Sequence, residues 1–118
     1  MLKETYLANL ARVPVEAKRV RVARPSILAP SKRLLADWKA KKITWPEYEI
    51  RYKRQILSDP DAVKYMRAIK ELATKVDVYL YCYEKRPPCH RFILIELING
   101  LTEDQARSSK IGKAVVHF

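Results

Sequence analysis

Residues 76–99, VDVYLYCYEKRPPCHRFILIELIN, decide the fold. Val76, Val78, Leu80 and Cys82 alternate with Asp77, Tyr79, Tyr81 and Tyr83, and β-favouring residues dominate the run, which predicts a strand. Arg86-Pro87-Pro88 ends it, because proline has no N–H for a ladder and fixes φ. Phe92, Ile93, Leu94, Ile95, Leu97 and Ile98 then form a helix apolar on nearly every side, hence a buried one. Asn99-Gly100 supplies its stop. Cys82, Glu84, Cys89, His90 and Arg91 therefore gather where a core strand hands over to a helix N-terminus. Ligands of open α/β sheets bind at such places.

The chain has 118 residues, one domain's worth, long enough to bury a core without disulfide staples. No run reaches the roughly eighteen apolar residues of a membrane span, so no membrane partner is expected. The first residues, MLKETYLANLARVP, lack the layout of a signal peptide, and a cytoplasmic location follows as the expectation. There, two cysteines are more often reduced thiols than a disulfide. Few Asn, Gln and Gly beside many Lys, Arg and Tyr lean towards a thermophilic source. Net charge is +11, and residues 1–58 hold fourteen Lys/Arg against five Asp/Glu. Such a basic half would attract nucleic acid, or it is simply a well-hydrated basic surface.

Upstream, residues 5–10 (TYLANL) suggest a first short strand, and residues 18–23 (KRVRVA) a second whose wet face shows Arg19 and Arg21. Ser31 can cap a helix over KRLLADWKAKK. Thr44-Trp45-Pro46-Glu47 is a capping-box pattern opening a helix to about Leu57, with Trp45, Tyr48, Tyr52 and Ile56 at core spacing. Asp59-Pro60 opens a third, in which Val63, Met66, Ile69 and Ala73 share a face. Beyond the buried helix, Thr102 and Gln105 predict a short helix to Ser108, and residues 113–118 a last strand. The order β-β-α-α-α-β-α-α-β predicts a compact α/β, Rossmann-like layer fold with a small, partly parallel sheet flanked by helices.

The motif residues have a coherent chemistry. Cys82 and Glu84, two apart on a strand, share a side. A thiol beside Arg91 and a helix N-terminus can become a nucleophile. His90 or Glu84 can move protons, and Arg91 can grip a phosphate or carboxylate. A small anionic ligand or nucleotide is the matching partner class; no cofactor is specified. Each residue also fits plain structure: Cys82 as core packing, His90 satisfying a neighbour, Arg91 with Glu84 as an ion pair. A zinc site drawing on Cys82, Cys89, His90 and Glu84 or His117 is a third reading, though the spacing matches no standard zinc module. The Cys-to-Arg spacing is too long for a phosphatase-type Cys-x5-Arg loop, and no glycine-rich phosphate loop exists. Tyr79, Tyr81 and Tyr83 could stack bases, or more simply pack under a helix, and Trp38, Trp45, Tyr48 and Tyr52 read as core.

Cys82-x-Glu84-x-x-x-x-Cys89-His90-Arg91 resembles the domain-of-unknown-function family 488 (DUF 488): an apolar strand ending in Cys-x-Glu, a proline-containing loop, Cys-His-Arg and an apolar helix. WPEYEIRYKRQI is similar to that family's aromatic helix ahead of the motif. The resemblance runs from about Arg12 to Leu101. It implies a Rossmann-like α/β fold and no particular activity. Arg24-Pro25 resembles the family's Arg-x-x-Pro segment, with the proline adjacent here, and this resemblance makes Arg24 a second anion-binding candidate.

Overall fold

The structure, a computed structural model, describes residues 1–83 and 88–101. Strands β1 (Leu2–Tyr6), β2 (Lys18–Arg21) and β3 (Val78–Cys82) form one parallel sheet in the order β1-β3-β2. The most apolar strand takes the centre, where both of its edges are paired. Leu2 to Tyr6 run beside Val78 to Cys82, and Lys18 to Arg21 beside Val78 to Tyr81. All three strands therefore end together, at the edge that carries Cys82.

Four helices follow the expected starts. Helix α1 (Lys32–Lys39) is capped by Ser31, whose Oγ accepts from the Leu34 N–H at 3.1 Å. At α2 (Trp45–Leu57) both halves of the capping box form, Glu47 N–H to Thr44 Oγ1 and Thr44 N–H to Glu47 Oε1. Asp59 caps α3 (Pro60–Ala73), accepting from the Asp61 and Ala62 amides. The last, α4 (His90–Asn99), begins at Cys89 with no side-chain cap, since that thiol is engaged elsewhere. Among the described residues no helix is long and apolar enough to cross a membrane.

One core forms on a single face of the sheet. Val20, Val78, Leu80 and Cys82 join Leu34 of α1, Tyr52 and Ile56 of α2, Met66 and Ile69 of α3, and Leu94 and Ile98 of α4. The opposite face presents Lys3, Arg19, Arg21, Tyr79 and Tyr81.

Two expectations change. The first strand lies at residues 2–6, and residues 7–12 form a 3-10 helix, not the end of a strand over 5–10. Its ladder stops where β3 stops, with Tyr6 beside Cys82, and LANLAR lacks the alternation to continue it. Nor do the tyrosines from 79 to 83 pack as one buried ladder: Tyr79 and Tyr81 are partly buried, with Tyr65 of α3 bordering the same recess as Tyr81, and Tyr83, past the end of β3, is 57% exposed. The buried side chains of every helix are drawn to the valine–leucine face. The helix from Thr102 and the strand at 113–118 lie outside the described residues, as do Glu84 and His117.

Candidate active site

The parallel sheet brings Cys82 to the C-terminal end of its central strand, on the core side because Val78, Leu80 and Cys82 alternate inward. Cys89 holds the N-cap position of α4 in extended backbone conformation, and His90 and Arg91 open the helix. The two sulfurs lie 2.7 Å apart, both thiols free and buried. Arg91 Nη1 donates to Cys82 Sγ at 2.9 Å, and its Nε donates to Glu4 Oε2 at 2.6 Å. His90 Nε2 lies 2.6 Å from the Val22 carbonyl oxygen, which can only accept, so Nε2 carries the proton. Its Nδ1 lies 3.7 Å from Cys89 Sγ, where a ring with no proton on Nδ1 presents its lone pair. Tyr52 meets the imidazole edge-on at 5.6 Å and anchors itself through its hydroxyl to the Leu28 carbonyl.

The charges are ordered by these contacts. The hydrogen bond with Cys82 and burial together push the Cys89 thiol well up, so Cys89 keeps its proton. Burial disfavours the Arg91 cation, but the bonds to Glu4 and Cys82 outweigh it and hold the guanidinium charged. A cation donating to a sulfur favours its thiolate, the nucleophilic form.

Arg91 was expected to face a ligand; its side chain is 1% exposed and turned inward, onto a carboxylate and a thiol. Its carboxylate partner is Glu4, which the sequence reading overlooked. The signal was present: with a strand starting at residue 2, Glu4 falls in register with Leu80 on the core face. An acid at an inward strand position needs a buried cation. Starting that strand at Thr5 hid it.

Above the thiols opens a cavity of about 230 Å³. Cys82, Cys89 and His90 line it, Trp38, Trp45 and Tyr48 form an aromatic side, and the exposed Arg24 and Lys39 complete the lining. Trp45 stacks on Tyr48 at 4.6 Å, and Trp38 meets Trp45 edge-on at 5.2 Å. The tryptophans read as core are thus half-buried pocket wall. Their spacing matches a core stripe, and only the place where α1 meets α2 shows that one end of the stripe stays open. Arg24 donates to the Pro30 carbonyl at 3.4 Å, which holds it beside this cavity. Among the described residues no group of three or more His, Cys, Asp or Glu is placed to hold a metal ion.

A parallel α/β layer with paired thiols, an imidazole and a guanidinium at the C-terminal edge of its sheet defines a Rossmann-like domain with a cysteine-centred candidate site. The chain belongs to the DUF488 family: the family model described as the Active DUF488-N3 subclade matches residues 8–101. No curated protein and no solved structure matches it.

Proposed function

We propose that this domain is an enzyme-like module that binds a small anionic ligand, of phosphate or nucleotide type, and presents Cys82 to it as a nucleophile. The observation that carries this reading is the convergence of two thiols and an imidazole beneath an aromatic-walled cavity whose lining includes Arg24 and Lys39. The aromatic wall suits a flat ring and the cations suit its phosphate. Arg91 serves the thiol and leaves the ligand to Arg24. Cys89 and His90 supply and accept protons, and Glu84, two residues beyond Cys82, is the further proton carrier in this scheme. The subclade's description as active is in keeping with catalysis. A cytoplasmic location goes with it, since free thiols persist there.

Trp38 and Trp45 are the chain's two tryptophans, so intrinsic fluorescence reports on the cavity. Nucleoside monophosphates should quench it saturably, with inorganic phosphate competing. Arg24→Ala should weaken binding by roughly tenfold to a hundredfold, the value of a hydrogen bond to a charged group. Unchanged affinity in that variant would remove the anion assignment.

A second reading rests on the sheet face that carries Lys3, Arg21, Tyr79 and Tyr81. Arg21 sits over Tyr83 at 5.0 Å and Lys3 over Tyr79 at 5.7 Å, a basic and aromatic surface whose cations come from residues 1–58. Single-stranded nucleic acid fits such a surface, bases on tyrosines and phosphates on the cations. Its affinity for an oligonucleotide should fall steeply between 50 and 200 mM salt, by at least about tenfold for a few neutralised phosphates. It should also be indifferent to Cys82→Ser and weakened by Tyr83→Ala. A flat salt profile would eliminate this partner.

A further inference from the structure

We infer that Cys82 and Cys89 are a two-electron redox couple, which reduces a small carboxylate-bearing disulfide in the cavity and closes to an intramolecular disulfide. The inference deepens the cysteine-centred reading above and rests on it for access to the thiols.

The pair joins the end of β3 to the cap of α4 with its sulfurs 2.7 Å apart. A disulfide bond is about 2.05 Å long, so closure needs a sulfur displacement of well under an ångström. Simple core packing does not account for the surroundings. Free thiols pack as small hydrophobes and need no cation. Here a guanidinium that is 1% exposed, already bonded to Glu4, spends a second donor on Cys82 Sγ. Cys89 receives only the Arg91 backbone amide, not its guanidinium, and lies 3.7 Å from His90 Nδ1, in a ring whose other nitrogen is held by Val22. One sulfur is thus set up as thiolate and the other as a thiol beside a base, the asymmetry that thiol–disulfide exchange uses. Both border the cavity from buried positions, so a substrate sulfur would approach them through it.

The exchange balances in two steps. The Cys82 thiolate attacks one sulfur of R–S–S–R′; the Cys82–SR bond forms, the substrate S–S bond breaks, and R′S⁻ leaves. His90 Nδ1 takes the Cys89 proton, and the Cys89 sulfur attacks Cys82 Sγ. The Cys82–Cys89 bond forms, RS⁻ leaves, and His90 returns the proton to a departing thiolate. Two protein thiols are oxidised and one substrate disulfide is reduced. Arg24 and Lys39 in the cavity lining select a substrate carrying carboxylates.

The test is to equilibrate the full chain in buffers of oxidised and reduced glutathione, quench with acid, and count free thiols with a mass tag after unfolding. The chain has two cysteines, so the count is unambiguous. Both tags should disappear in one transition with no retained glutathione. Cys89→Ser should accumulate a mixed disulfide at Cys82, and Cys82→Ser should react at least about tenfold more slowly, having lost the activated thiolate. Arg24→Ala should slow oxidation by glutathione disulfide about tenfold while leaving oxidation by uncharged 2-hydroxyethyl disulfide unchanged. Two tags retained in the fully oxidised buffer, or independent glutathione adducts on each cysteine, would overturn the couple in the wild-type chain. Equal effects of Arg24→Ala on both oxidants would overturn the substrate class. Fluorescence titration of the Cys82→Ser/Cys89→Ser chain separates the two readings, because anion binding there stands or falls without the redox couple.

Discussion

Glu4→Leu should cost roughly 3–5 kcal/mol of unfolding free energy, more than Arg91→Met, for which about 1–2 kcal/mol is expected. The two variants break one ion pair from its two ends, and the asymmetry follows from burial. Arg91 is 1% exposed and Glu4 35% exposed. Removing the carboxylate takes one of two anchoring acceptors from a cation that water cannot reach, leaving it Cys82 Sγ, whereas removing the guanidinium leaves an acid that can rehydrate. Leucine suits an inward position on β1, and methionine replaces much of the arginine stem, so lost packing contributes little in either case. Urea unfolding at neutral pH measures both. Equal costs would mean that the pair is not holding α4 to β1. Arg91→Met should in addition slow alkylation of Cys82 at neutral pH, since the thiolate loses its cation.

Leu80→Ala should destabilise the chain by about 2–5 kcal/mol, while Tyr81→Ala, the next residue on the same strand, should cost about 1 kcal/mol or less. Leu80 is fully buried at the middle of the central strand, in register with Glu4 and Val20, and belongs to the single core cluster. Truncating it removes a methine and two methyl groups from contact and leaves a cavity between sheet and helices that strands on either side cannot close. Tyr81 lies on the half-exposed face, where its ring can give up contacts to water. Thermal or urea unfolding of the two variants tests which face the helices cover. Similar losses would contradict a one-sided core.

Much of this could be read along the chain because its cause is local. Inward alternation of Val78, Leu80 and Cys82 follows from the two-residue period of a strand, and the capping residues Ser31, Thr44 and Asp59 act within three positions of their partners. The apolar run after Cys-His-Arg could hardly form anything but a buried helix, and α4 is one, with Ile93, Leu94 and Ile98 inside. The thiols, imidazole and guanidinium were legible as a cluster because a strand end and a helix start seven residues apart must lie close. The first strand was misplaced for the same reason in reverse: its bounds are set by the ladder with β3, more than seventy residues away.

By itself, then, the amino-acid order determined the α/β class, the helix starts, the strand-to-helix junction and the gathering of Cys82, Cys89, His90 and Arg91. Tertiary structure alone decided what those groups face. It placed β3 between β1 and β2, left Tyr83 exposed, and turned Trp38 and Trp45 into a cavity wall. It also paired Arg91 with Glu4, 87 positions apart, so that the cation expected to hold a ligand holds a thiol. Periodicity and capping report interactions within a few residues. The partner of a buried charge is settled by register between distant strands and by which face the helices cover, and no local pattern encodes either.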